Sequence, residues 1–88
     1  MSNHIKHLIA ERGKHYGSPQ ENHARTARLW NAYLASRANA PLTPEDICFL
    51  NILQKVARCL GESEPTKDTL LDIAGYARNI EMILGYDD

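Results

Sequence analysis

Apolar residues recur at intervals of three and four positions in four stretches, separated by glycines, prolines and capping residues. No stretch shows the period-two alternation, rich in β-branched residues, that marks a strand. The pattern predicts an all-α chain, a compact four-helix bundle-like single domain over residues 1–88. A first helix is expected over Asn3–Arg12, with Ile5, Leu8 and Ile9 on one face and Gly13 ending it. A second is expected over Gln20–Arg37. Its apolar face gathers Ala27, Trp30, Tyr33 and Leu34, with Leu29 at the margin, while Glu21, Arg25, Arg28 and Ser36 turn outward. His23 falls on the Trp30 side and reads as a hydrogen-bonded core histidine in preference to an acid–base group.

Ala38–Leu42 is a linker, and Thr43-Pro44-Glu45-Asp46 is a helix start: Thr43 caps, Pro44 suits the first helical position, and Asp46 supplies the acid of a capping box. The third helix, Pro44–Leu60, is the most apolar. Its wide arc, including Phe49, Leu50, Leu53, Val56 and Leu60, suits a central helix or the seam of an oligomer. Gly61 ends it, and residues 62–65 make a turn. Thr66 caps a fourth helix with Asp68 in its first turn, and Gly85 closes that helix.

This fourth helix has two polar sectors. Lys67, Arg78 and Glu81 form an ordinary solvent face, whereas Asp68, Asp72, Tyr76 and Asn79 lie roughly opposite, with apolar residues on both sides. The third helix offers Asn51, Lys55 and Arg58, with Gln54 beside them. A short turn makes the two helices antiparallel neighbours, in a register that sets Lys55 across from Asp72, Arg58 near Asp68 and Asn51 near Tyr76. Partly buried charges must be paired, so one reading is a salt-bridge ladder with no ligand. The other is a polar cavity of the kind in which bundles bind ligands.

The connection Arg12-Gly13-Lys14-His15-Tyr16-Gly17-Ser18-Pro19-Gln20-Glu21-Asn22 carries more chemistry than chain reversal needs. As structure it is a terminator, a packing ring and a turn. As function, the amides at the following helix start, with Arg12, Lys14 and His15 beside them, attract phosphate, and Tyr16 stacks on a base.

Composition narrows the partners. A net charge of -1 argues against a duplex-DNA binder, which carries a clustered basic face. The apolar runs are too short for a membrane span, and the start lacks the apolar stretch of a signal peptide, so a cytoplasmic location is expected. Cys48 and Cys59 fall eleven positions apart on one helix, too far to form a disulfide.

Arg12 with Tyr16-Gly17-Ser18-Pro19 and Asn22, Leu29-Trp30 with Tyr33-Leu34, Leu42-Thr43-Pro44-Glu45-Asp46, Lys55 with Ala57-Arg58, and Asp72-Ile73-Ala74-Gly75-Tyr76-Ala77 together resemble a family of short phage and prophage proteins of unassigned activity. More distantly, the chain is similar to the nucleotide modification associated domain of phages and to the MazG-like all-α nucleoside triphosphate pyrophosphohydrolases. That second resemblance implies magnesium held by paired acids on two adjacent helices, spaced Glu-x-x-Glu and Glu-x-x-Asp. Here Asp68 and Asp72 are four apart, and the neighbouring helix offers Asn51, Lys55 and Arg58 where carboxylates are wanted. Cations there repel magnesium and suit phosphate.

The sequence therefore leads to a phage-type protein that binds a nucleotide or related phosphate-bearing ligand and forms a homo-oligomer. Its candidate ligand-binding residues are Arg12, Lys14, His15, Tyr16, Asn22, Asn51, Lys55, Arg58, Asp72 and Tyr76. Asp68 and Asp72 would hold magnesium only if the protein is an enzyme. The rival is a non-enzymatic accessory module that binds and inhibits a host defence protein; it predicts a flat apolar patch and a sealed Lys55–Asp72 pair, whereas a nucleotide site predicts an open cavity beside that pair.

Overall fold

A computed structural model describes residues 18–61 and 65–86. The expected helix over Asn3–Arg12, the loop residues Arg12, Lys14, His15 and Tyr16, and the tip of the turn after Gly61 lie outside the described residues. Among the described residues there are three α-helices and no strand: α1 (Pro19–Ser36), α2 (Pro44–Leu60) and α3 (Lys67–Leu84). The central helix is α2. It packs against both α1 and α3, which do not pack against each other.

Helix boundaries follow capping chemistry. Ser18 caps α1 by accepting from the Glu21 amide at 3.1 Å, and Pro19 takes the first helical position. Thus α1 begins one residue earlier than the pattern suggested and ends one earlier, at Ser36. Chain reversal uses Ala38 and Asn39 with φ of 50° and 65°, the left-handed region, where an alanine is strained and an asparagine tolerated. Thr43 and Asp46 form the full capping box of α2. Thr66 caps α3 through the Thr69 amide, and Gly85, with φ of 78°, ends it while the Tyr86 amide reaches back to the Glu81 carbonyl.

The α1–α2 contact is unusually polar. Arg25 was expected to face outward; instead its Nε donates to the Ala57 carbonyl at 3.2 Å. That carbonyl belongs to the last turn of α2, where acceptors lack intrahelical donors and the helix dipole favours a cation. Trp30 Nε1 donates to the Leu50 carbonyl at 2.8 Å. Asn22 and Thr26 are buried, while Ala27, Leu34 and His23, expected on the inner face, are exposed. The inner stripe is therefore Asn22, Thr26, Trp30, Tyr33 and Arg37, rotated from the face that hydrophobicity alone selected.

Asp46 does more than cap. Its Oδ2 accepts from the Thr43 amide at 2.8 Å and the Thr43 hydroxyl at 2.9 Å, and lies 3.1 Å from Arg37 Nη2; its Oδ1 accepts from the Tyr33 hydroxyl at 2.5 Å. The carboxylate thus ties the end of α1 to the start of α2. The Tyr33 bond, followed by the Thr43 amide, holds the Asp46 carboxyl below the usual range. Burial, then the bond to Asp46, pushes the Tyr33 phenol up to about 12. A raised phenol pKa favours the folded state up to the ordinary value near 10, and that contribution is lost as pH rises toward 12. Wild type should therefore lose thermal stability between pH 10 and 12 more steeply than Tyr33→Phe, which at neutral pH should itself cost about 1–2 kcal/mol. Parallel alkaline slopes in thermal melts would contradict this.

Candidate functional site

The site forms along one side of α3, where its sequence departs from a simple amphipathic pattern. Thr69, Ile73, Tyr76 and Ile80 follow the helical repeat toward α2 and are buried or half-buried. Asp72 and Asn79 lie at the edge of that contact and are exposed. Leu71, Asp72, Gly75, Tyr76 and Asn79 line an open groove of about 310 Å³. A cavity of that volume lies at the small end of ligand sites.

At its edge the Lys55 Nζ stands 2.7 Å from Asp72 Oδ2. The two partners are unequally exposed: the Lys55 side chain is 12% accessible and that of Asp72 is 52% accessible. Lysine thus uses its aliphatic stem for packing between α2 and α3 and commits its ammonium to the carboxylate. Asp72 keeps half its surface, and with it acceptor capacity, toward solvent beside the groove.

This asymmetry predicts unequal costs. Lys55→Met replaces a mostly buried stem with an apolar one and leaves an exposed carboxylate that water can solvate, so stability should change by less than about 0.5 kcal/mol. Asp72→Ala strips a shielded ammonium of its partner and should cost about 1 kcal/mol or more. Urea melts of the two variants test the order, and the reverse order would contradict the geometry.

Gly75 forms part of the groove lining. A glycine in a helix interior costs about 1 kcal/mol relative to alanine, yet a Cβ built there would meet nothing within 4 Å. No packing among the described residues requires the glycine. What its missing side chain does is open the helix backbone to close approach from the groove.

Of the other sequence-predicted residues, Asn51 and Arg58 are half-buried on α2, and Asp68 is exposed on the first turn of α3. Asn22 stands on α1, which does not pack against α3; it is buried, and its Oδ1 has no hydrogen-bond partner among the described residues. The helical-wheel reading had placed Asn79 in the polar sector without counting it as a site residue, and it had not singled out Gly75. The signal for both was present in their spacing: Asp72, Gly75, Tyr76 and Asn79 are three or four apart on one face.

Magnesium does not fit this donor set. Asp72 is engaged by a lysine, and among the described residues no three His, Cys, Asp or Glu side chains come together. No disulfide joins Cys48 to Cys59. Among the described residues, no helix is long and apolar enough to cross a membrane.

A family model described as "Domain of unknown function (DUF6378)" matches residues 2–83. The gene 55 protein of Mycobacterium phage L5 is 44% identical over 74 residues, which are 84% of this chain and 45% of that protein. The gene 55 protein of Mycobacterium phage D29 is 38% identical over 76 residues, 86% of this chain and 47% of that protein. The chain therefore spans about half the length of these curated relatives. No solved structure matches it.

Proposed function

The chain belongs to the family described as Domain of unknown function (DUF6378), and from the site on α3 we propose that it binds a nucleotide or a related phosphate-bearing small molecule. The observation that carries this reading is the groove itself. An exposed carboxylate held by a shielded lysine, an amide and a phenol ring meet over a helix backbone bared by glycine. Asp72 is suited to accept from ribose hydroxyls or a base N–H, Asn79 to donate and accept, and Tyr76 to offer a ring face. These are the chemistries of a nucleoside more than of a phosphate, because the Lys55 ammonium is already committed. Phosphate contacts in this proposal fall to Arg12, Lys14 and His15, with Tyr16 stacking and Asn51 and Arg58 beside the groove.

The same proposal takes residues 3–12 as a fourth helix of one all-α domain and the bacterial cytoplasm as the working compartment. It treats the MazG-like resemblance as one of architecture, with binding retained and metal-dependent hydrolysis absent. The rival reading, an accessory module that docks on a host protein, draws on the apolar side chains that stand exposed on α2 and α3.

A thermal-shift panel of nucleosides and nucleoside mono-, di- and triphosphates, with and without magnesium, tests the reading. A ligand at about 100 times its dissociation constant should add about 2.7 kcal/mol of stability. Nucleosides should retain much of the shift and magnesium should be dispensable. A panel with no member shifting the melt would refute the proposal.

A further inference from the structure

Lys55 belongs to the groove without lining it. The lining residues all come from α3, and Asp72 is the one ionised group among them. Lys55 reaches the same carboxylate from α2, with Nζ 2.7 Å from Oδ2, and it is the covered member of the pair while Asp72 is the open one. Asp72 Oδ1 has no partner among the described residues. A ligand entering the groove therefore meets the acid and not the base.

This order does two things at once. Engaging Oδ2 fixes the orientation of the carboxylate, so Oδ1 is presented as a free acceptor. The ammonium also cancels the charge of that acceptor. Without it, Asp72 would bring a bare negative charge to the groove, and the exposed carboxylate of Asp68 stands one turn earlier on the same side of α3. Both would repel an anion. With a counter-charge 2.7 Å away, Asp72 acts as a dipole, whose field falls off faster with distance than that of a lone charge. A brace between two helices works with either residue outermost. Only the acid outward and the base covered gives the groove an acceptor while removing its charge.

We propose that Lys55 is the specificity-determining residue of the groove: it makes no contact with the ligand, and by neutralising Asp72 it admits a nucleoside that carries phosphate. The inference rests on the nucleotide reading of the groove.

Equilibrium dialysis of the full chain against adenosine and guanosine, and against their monophosphates, at low and high ionic strength tests it. Lys55→Met should lower the affinity for a monophosphate at least about fivefold more than for its nucleoside, and high salt should close most of that gap. Lys55→Arg returns a cation and should return the wild-type ratio. Lys55→Met combined with Asp72→Asn removes both charges and should return the ratio as well, even at lower overall affinity. If Lys55→Met disturbs the fold, Lys55→Gln carries the same comparison. A ratio unchanged in the folded Lys55 variant, whatever the affinities themselves do, would overturn the inference and leave the groove standing as the binding site. A changed ratio that the double variant does not restore would mean that Lys55 meets phosphate directly, and would overturn it too. Wild type that binds neither nucleosides nor monophosphates would overturn the nucleotide reading and this inference with it.

Discussion

Leu50→Ala should destabilise the fold by about 2–5 kcal/mol, the largest loss expected from any single truncation among the described residues. Leu50 is 4% exposed, and it stands on the side of α2 that meets α1, where Trp30 donates to its carbonyl. The other buried positions on α2 are small or polar: Cys48, Ala57 and Asp46. Leu50 is the one large apolar side chain among the buried hydrophobic residues described, so its truncation should carry a cavity cost on top of the lost burial. For a chain of this length, a loss of that size lowers the melting temperature by roughly 10 °C or more. A melt lowered by less than about 4 °C would mean that the α1–α2 contact is not the principal core.

Gly75 should separate stability from function more sharply than any other position. Gly75→Ala is expected to raise stability by about 0.5–1 kcal/mol, since it removes the helix cost of glycine and its Cβ meets nothing within 4 Å. Gly75→Leu should keep most of that gain while placing a branched side chain in the groove, and nucleotide affinity should fall at least tenfold, about 1.4 kcal/mol. Stabilisation with binding lost is the signature of a residue kept for its vacancy. If Gly75→Leu binds nucleotide as wild type does, the groove is not the binding site.

The parts of this fold that were legible in the sequence are those fixed by local chemistry. Thr43, Pro44 and Asp46 announce a helix start because capping involves only four consecutive residues, and Gly85 announces an end because few other residues adopt its backbone angles. The Lys55–Asp72 pair could be reached because a short turn fixes the register of two antiparallel helices. The polar inner face of α1 could not. Hydrophobic periodicity selects Ala27 and Leu34, whereas the actual contact is made by hydrogen-bonding side chains, Arg25 to a helix-end carbonyl and Tyr33 to a carboxylate 13 positions on.

Asp46 was hidden for another reason. Its capping role accounted for the residue within its own helix, so nothing local signalled that Tyr33 and Arg37 also converge on it. The spacing of Asn22, Thr26, Tyr33 and Arg37 at helical intervals was the available clue. At the site, the wheel placed Asp72, Tyr76 and Asn79 together, but a glycine has no polarity to register on it. The importance of Gly75 emerges only when the space beside the helix is known.

The central claim, that the groove on α3 receives the nucleoside part of a ligand, is tested most directly by titrating isotope-labelled protein with nucleoside monophosphates and following the backbone amide resonances. Saturable shifts should concentrate between Leu71 and Asn79 and at Lys55, and should disappear in Gly75→Leu. Saturable shifts that leave residues 71–79 unmoved, or no saturable shift with any nucleotide, would contradict it.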